Sequence, residues 1–283
     1  MKFSLVLATV GRTAELQRFL ESLDAQTFRD FELIVIDQNP DERLAPLLTK
    51  YAKRFSIVHV RSEKGLSRAR NVGLNHITGD VVAFPDDDCW YPAQLLGQVA
   101  GVLTQSAGLD GLTGRSVDDV GNTSQGNFPR DAQQVNSESV WRCGISYTIF
   151  LRRAVVDRVG CFDESLGVGA GTPWGAGEET DFLVRALKAG ASVLYDPEVV
   201  VHHPAKTAAI DAGALARAFS YGCGWGRVLR KHQYGLRFCL KALIRPVGGA
   251  VLSLLRFDPR RAVYHWSTFR GRCFGLVSKP GRQ

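Results

Sequence analysis

Between residues 3 and 104, short apolar runs of five or six residues alternate with stretches of helical periodicity. Few folds accept that rhythm. Phe3–Ala8, Phe31–Ile36, Ser56–Val60 and Asp80–Phe84 read as strands. Thr13–Leu23, Asp41–Phe55, Ser67–His76 and Pro92–Thr104 read as helices, the last with proline in its first turn. The opening run has the look of a signal h-region, but it lacks a small-residue cleavage site and leads straight into Gly11-Arg12-Thr13, so it reads as a first buried strand. Strands joined by helices of this length build a mostly parallel sheet covered on both faces, an α/β fold. Ligands of such sheets sit beyond the carboxyl ends of the strands. Those ends carry Thr9-Val10-Gly11-Arg12, Asp37-Gln38-Asn39, Arg61-Ser62-Glu63-Lys64-Gly65 and Asp86-Asp87-Asp88, four polar clusters expected along one edge.

The acidic triple carries the most chemistry. It follows Val81-Val82-Ala83-Phe84, so three carboxylates crowd the point where a buried strand emerges. Like charges held together need an answering cation or a sugar hydroxyl, and hard oxygen ligands suit Mg²⁺ or Mn²⁺, which in turn hold a diphosphate. A solvated acidic turn is the competing reading for any single Asp-x-Asp.

Other α/β ligand sites fit less well. A dinucleotide fold wants Gly-x-Gly-x-x-Gly after the first strand, where this chain offers only Gly11, and there is no Walker pattern. The glycine-dense stretch 167–177 follows no convincing strand and reads as a flexible loop. The six cysteines include no Cys-x-x-Cys pair, which argues against a zinc ribbon or a disulfide framework and for a reducing cytoplasm.

Several blocks, in order, resemble the family 2 glycosyltransferases of the GT-A fold over roughly residues 3–203. Leu33-Ile34-Val35-Ile36-Asp37 is similar to the family's second strand, whose terminal Asp reads the nucleotide base. Gly65-Leu66-Ser67-Arg68-Ala69-Arg70-Asn71-Val72-Gly73 resembles the block lining the nucleotide pocket, and Phe84–Pro92 the metal-binding segment. Cys89 stands where many members carry another Asp. Gly160-Cys161-Phe162-Asp163-Glu164 and Gly177-Glu178-Glu179-Thr180-Asp181 resemble the two acceptor-side blocks.

The resemblance implies inverting transfer from a nucleotide sugar, UDP-linked by family tendency, to an acceptor hydroxyl. Thr9, Arg12, Asp37, Gly65, Arg70, Asp86 and Asp87 are then expected on the nucleotide-sugar side. Asp88 and Asp86 become metal ligands for Mn²⁺ or Mg²⁺, with Asp86 alternatively taking a ribose hydroxyl. A histidine after Val199-Val200-Val201 completes the shell in some relatives; of His202 and His203 only one points inward on a strand, and His202 is the expectation. The general base falls on Glu179, with Glu178 as runner-up or loop anchor. Trp174 and Asp181 fall on the acceptor side, Trp174 as a sugar platform or a core plug and Asp181 also as a first-turn helix charge.

Charge divides the chain. Of 35 Lys and Arg and 28 Asp and Glu, residues 202–283 hold 15 and 2, net +13, leaving 20 and 26, net −6, for residues 1–201. The expected organisation is a catalytic domain over 1–207, with a nucleotide-sugar part to about 108 and an acceptor part over 109–207, followed by a basic helical tail over 208–283. Within the tail, Ala212–His232 reads as a helix weakened or kinked by Gly222, Gly224 and Gly226. Leu236–Leu255 mixes apolar residues with Arg237, Lys241, Arg245 and Pro246, which leaves too short an apolar run to span a bilayer. An amphipathic element on an anionic membrane surface is expected instead, at the inner face of the cell membrane. Packing on the catalytic domain with a solvated basic face is the alternative. No nucleic-acid motif accompanies the charge. The acceptor implied is a glycan or a lipid-linked glycan of the cell surface. A nucleotidyltransferase or a non-catalytic nucleotide-sugar-binding protein remain the other readings.

Overall fold

The computed structural model describes residues 1–205 and 209–278; the boundary expected between 207 and 208 lies outside the described residues. Two compact units form, the first from residues 1–64, 68–162 and 182–205, the second from Gly65–Ser67, Asp163–Asp181 and residues 209–278. Segment 163–181, expected within the acceptor part, thus groups with the C-terminal helices.

The first unit is built on β1 (Phe3–Thr9), β2 (Phe31–Asp37), β3 (Ser56–Arg61), β4 (Val81–Ala83), β5 (Gly111–Val117), β6 (Gln133–Gln134), β7 (Ile149–Arg152) and β8 (Val193–His202). They form one sheet in the order β3-β2-β1-β4-β7-β5-β8-β6. β7 runs antiparallel to both its neighbours and β6 antiparallel to β8; the other pairings are parallel. The mostly parallel α/β sheet expected from the sequence is therefore present.

Around it lie α1 (Ala14–Asp24), α2 (Ala45–Tyr51), α3 (Leu66–Leu74), α4 (Leu95–Gln105), α5 (Val140–Cys143), α6 (Arg153–Val159) and α7 (Glu178–Lys188). Alternation along β1 and β2 feeds two cores. Phe3, Leu5, Leu7, Leu33 and Val35 enter one, Val6, Ile34 and Ile36 the other. α1 closes the first core with Leu16, Phe19, Leu20 and Leu23, one helical stripe with no exposure. Burying each is worth roughly 1.5–3 kcal/mol. Two helices are shorter than expected. α2 starts only at Ala45, with Pro46 in its first turn, and α4 starts at Leu95, after a turn in which the Leu95 N–H donates to Pro92 O.

Gly73 marks a close approach of α3 to the sheet, since a Cβ there would fall 2.4 Å from Val6 Cγ1. β4 is short, but the chain continues beside β1 in a parallel bridge between Ala8 and Asp86. That bridge carries the acidic triple to the carboxyl end of β1.

In the second unit, α8 (Ala212–Lys231), α9 (Leu236–Leu255) and α10 (Pro259–Val277) follow one another. Asp211 caps α8 by accepting from the Ala214 N–H over 2.6 Å, and Asp258 caps α10 from the Arg261 N–H over 3.0 Å. The glycines of α8 neither interrupt nor end it. A Cβ on Gly222 would fall 2.6 Å from Thr268 O, and one on Gly226 2.2 Å from Arg272 O. On the facing helix, Gly271 and Gly275 would clash with Phe219 O and Cys223 O at 2.1 Å each. Both helices thus carry glycines four residues apart where their backbones touch.

α9 is also continuous, and Pro246 lies inside it instead of breaking it. Proline cannot donate to the carbonyl four residues back, which is that of Ala242. Arg272 Nη1 donates to Ala242 O instead, with its guanidinium 4.1 Å from the centroid of Trp225. This replacement partner explains how a proline sits mid-helix. Among the described residues α9 is the one helix long and apolar enough to cross a membrane, with a mean hydropathy of 1.6.

Candidate functional site

The three carboxylates after β4 meet a ring of donors in the first unit. Asp87 accepts from Thr9 Oγ1 at 2.7 Å and from Arg12 Nη1 at 2.6 Å. The same Arg12 nitrogen lies 2.6 Å from Asp88 Oδ2, while His203 Nε2 lies 3.1 Å from Asp88 Oδ1. Asp86 lies 3.3 Å from Arg70 Nη2 and accepts from Ser146 Oγ at 3.2 Å. Arg70 is buried, 1 % exposed, with its guanidinium 6.0 Å and 5.5 Å from the centroids of Phe84 and Phe162. Thr9, Arg12, Arg70, Asp86, Asp87 and Asp88 are therefore brought together.

Their surroundings leave a surplus of negative charge. Burial pushes the Asp86 carboxyl up to about 6; Arg70 opposes this, and Asp88 and Asp87 add to it. Burial also raises Asp87, despite Arg12 and Thr9. For Asp88 burial is outweighed by the hydrogen bond and charge of His203 and the charge of Arg12, which hold it below the usual range. His203 is raised, since its bond to Asp88 and the Pro204 carbonyl outweigh its burial.

Asp86, Asp88 and His203 each offer a ligand atom within 4.8 Å of the others. Two carboxylates and an imidazole suit Mn²⁺ or Mg²⁺, and a divalent cation relieves the charge crowding, so the residues fit such an ion. The Nδ1 of His203 lies 2.8 Å from Pro204 O, which fixes the ring and leaves Nε2 directed at Asp88. Tyr147 stacks on the imidazole at 5.0 Å between centroids, with its hydroxyl donating to Ser116 Oγ over 2.8 Å.

His202 is not part of this group. Its ring stacks on Trp90 at 5.2 Å, and Trp90 is covered on its other contact by Arg18, 3.3 Å from the ring centroid. The correction follows from strand alternation. Val199 and Val201 are the buried positions at the end of β8, and the next residue in that period is His203. The sequence pointed to His202, whereas the structure puts His203 beside Asp86 and Asp88.

Asp37 is fully buried and heavily engaged. It accepts from the Asn39 N–H and Nδ2 at 2.9 and 2.8 Å, and its other oxygen lies 2.9 Å from His59 Nε2 and 3.3 Å from Arg61 Nη1. A carboxylate offers about four acceptor sites, so a base N–H would have to exchange with one of these partners. His59 and Arg61, missed in the sequence, share one face of β3 by alternation beside the end of β2.

The remaining expected residues belong to the second unit. Gly65, with φ +134°, lies close to Gly169, and the Leu66 N–H donates to Val168 O over 2.9 Å. The glycine-rich stretch is therefore pinned by its backbone, including a Gly167 N–H to Trp174 O bond of 2.8 Å, and is not a free loop. Trp174 is 9 % exposed and packs against Phe274 and Arg227, the core plug of its two readings rather than a sugar platform. At the start of α7, Glu178 is 5 % exposed, with its carboxylate against Gly167, while Glu179 is half-buried. Asp181 is fully buried, 2.8 Å from both Lys231 Nζ and His232 Nε2.

Known proteins share this architecture. The chain is 28 % identical over 239 residues to the succinoglycan biosynthesis protein ExoM of Rhizobium meliloti, covering 80 % of this chain and 75 % of that one. The structure of S. aureus TarS 1-349 in complex with UDP-GlcNAc superposes with a TM-score of 0.62 at 16 % identity, over 95 % of this chain and 90 % of that one. The mannosyltransferase PcManGT from Pyrobaculum calidifontis, in complex with GDP-Man and Mn²⁺, gives a TM-score of 0.66 at 15 % identity, over 99 % and 88 %. These likenesses establish the GT-A architecture. Residues 4–160, more than half of the sequence, match Glycosyl transferase family 2, and the chain belongs to that family.

Proposed function

We propose that the chain is an inverting, metal-dependent glycosyltransferase that moves a sugar from a nucleoside diphosphate sugar, UDP-linked, to a hydroxyl of a glycan or lipid-linked acceptor in cell-surface polysaccharide synthesis. The observation that carries this reading is the convergence of Asp86, Asp88 and His203 beside Arg12 and Arg70 at the carboxyl end of the parallel strands. Asp86, Asp88 and His203 would hold a divalent ion, which when bound supplies positive charge against the departing diphosphate. Thr9 and Arg12 hold Asp87 in place, and Arg70 stabilises Asp86 as a carboxylate. Glu179 accepts the acceptor's proton; its half-buried place in the first turn of α7 supports this over the buried Glu178, which anchors the loop at Gly167. ExoM, named for succinoglycan biosynthesis, supports the polysaccharide assignment, and the UDP-GlcNAc complex of TarS supports the uridine donor.

Contact with an anionic membrane completes the reading. α9, α10 and the turn between them expose Leu236, Ile244, Leu255, Phe257 and Trp266 alongside Arg237, Lys241, Arg245, Arg256, Arg260 and Arg261. Apolar side chains among cations favour an in-plane seat on the cytoplasmic leaflet.

A thermal-shift screen of nucleoside diphosphates and nucleotide sugars, with and without Mn²⁺, tests the function. The expected result is stabilisation by one nucleotide only with metal, about 2.7 kcal/mol at a hundred times Kd. Glu179→Gln should keep that response and lose about 10²–10⁴-fold in turnover. Absence of any nucleotide response refutes the transferase reading; a response without turnover in the unmodified protein favours a binding protein.

A further inference from the structure

Within the second unit, segment 173–181 runs along one face of α8. The Gly175 N–H donates to Ser220 O over 3.2 Å, and Ser220 Oγ donates to Pro173 O over the same distance. A Cβ on Gly224 would fall 2.0 Å from Ala176 O, and one on Gly177 3.0 Å from Val228 Cγ2. Ser220, Gly224, Val228 and Lys231 are spaced by four, four and three residues, a single helical stripe.

That stripe ends in a charged clasp. Lys231 Nζ lies 2.6 Å from Asp163 Oδ2 and 2.8 Å from Asp181 Oδ1. His232 brings its Nε2 within 2.8 Å of the same Asp181 oxygen. Asp181 has no exposed side-chain surface and His232 only 5 %. A buried carboxylate of this kind is costly unless its partners are held in place, so the arrangement constrains geometry as well as charge. Asp181 is two residues beyond Glu179, and its N–H donates to Gly177 O over 2.8 Å, closing the first turn of α7.

We propose that Lys231 and His232 are positioning residues for Glu179: by gripping Asp181 they fix the turn of α7 that carries the base. This rests on the reading of Glu179 as the general base. The chemistry then depends on α8, and the C-terminal helices serve catalysis as well as any surface they dock on. Stability alone does not call for an ion pair here, since a well-packed apolar pair would serve as well. Direction is what a charged clasp adds.

The test compares Lys231→Met, which keeps most of the side-chain length, with Lys231→Arg, which keeps the charge. Readouts are kcat and donor KM from metal-dependent nucleotide release, and deuterium exchange of residues 174–188. The expected result for Lys231→Met is a loss of about 10–100-fold in kcat with donor KM changed by less than about twofold, because a misplaced base costs rate and leaves donor binding intact. Lys231→Arg should recover most of the loss, and the first turn of α7 should exchange faster in the methionine variant only. A folded Lys231→Met enzyme with kcat within about twofold of the unmodified protein overturns the proposal. So does a parallel fall of kcat, donor affinity and Tm that arginine does not restore, since that is a structural role. If Lys231→Met does not fold, His232→Gln is read on the same axes. Should the unmodified protein turn over no donor, the transferase reading has failed; exchange then decides the clasp alone, with unchanged protection at 177–181 in Lys231→Met refuting it.

Discussion

Replacing Glu32 by Gln should weaken the catalytic unit by about 3 kcal/mol at neutral pH, and by less in acid. Glu32 is the second residue of β2, with only 5 % of its side chain exposed. Its carboxylate accepts from Lys2 Nζ at 2.7 Å, Ser4 Oγ at 2.6 Å and the Thr78 N–H at 2.8 Å, with Thr78 Oγ1 at 2.7 and 2.8 Å from its two oxygens. It thereby joins β1, β2 and the turn before β4. Burial pushes its pKa up, but these hydrogen bonds prevail and bring it from 4.5 down to about 2. A gap of about 2.5 units corresponds to about 3 kcal/mol. Because the folded pKa is the lower one, the contribution is complete above about pH 5 and drains away as pH falls toward 2. Urea melts of the unmodified protein and Glu32→Gln should differ by about 3 kcal/mol at pH 7 and about 2 kcal/mol at pH 3.5. The midpoint of a thermal melt should drop by about 6–12 °C at pH 7. A difference below about 0.5 kcal/mol, or one that does not shrink at pH 3.5, refutes the reasoning.

Asp88→Asn should lower Mn²⁺ affinity at least about tenfold in titration calorimetry, and an unchanged affinity removes Asp88 from the metal site. Gly224→Ala should cost about 1–3 kcal/mol in a urea melt, because its methyl meets Ala176 O; a neutral result means the chains part without penalty. Ile244→Glu combined with Leu255→Glu should abolish co-sedimentation with phosphatidylglycerol vesicles while leaving nucleotide binding intact. Binding that survives both changes places the membrane contact elsewhere.

The catalytic half was legible because its signals are local. Apolar period and turn residues located the strands of the parallel half, and Asp86–Asp88 announced itself by crowding three charges at a strand end. What stayed hidden depends on side-chain direction and long-range pairing. His202 and His203 are equivalent in composition, and only the phase set by buried Val199 and Val201 separates them. Asp37 was recognisable by position, but His59 and Arg61 occupy it through strand register, which no local pattern reveals. Gly222, Gly224 and Gly226 looked like a weakness in a helix because the backbones they admit, in α10 and in the loop before α7, lie 46 or more residues away along the chain. Pro246 looked like a break because its substitute donor, Arg272, comes from another helix.

The glycine-lined α8 has a consequence for how the chain acquires its form. Gly213, Gly222, Gly224 and Gly226 together make this helix poorer by about 3–4 kcal/mol than an alanine-rich one, so it is frail in isolation. Its support arrives from both directions of the sequence: Ala176 and Gly177 are synthesised before it, Gly271 and Gly275 after it. On the ribosome, α8 should therefore remain a fluctuating helix until α10 has emerged to grip it. The sheet can form once β8 has emerged at His202, whereas the clasp on Asp181 closes only when about 75 further residues, to Val277, have been added; with Glu179 as the base, the capacity to catalyse would then be among the last properties the nascent chain gains.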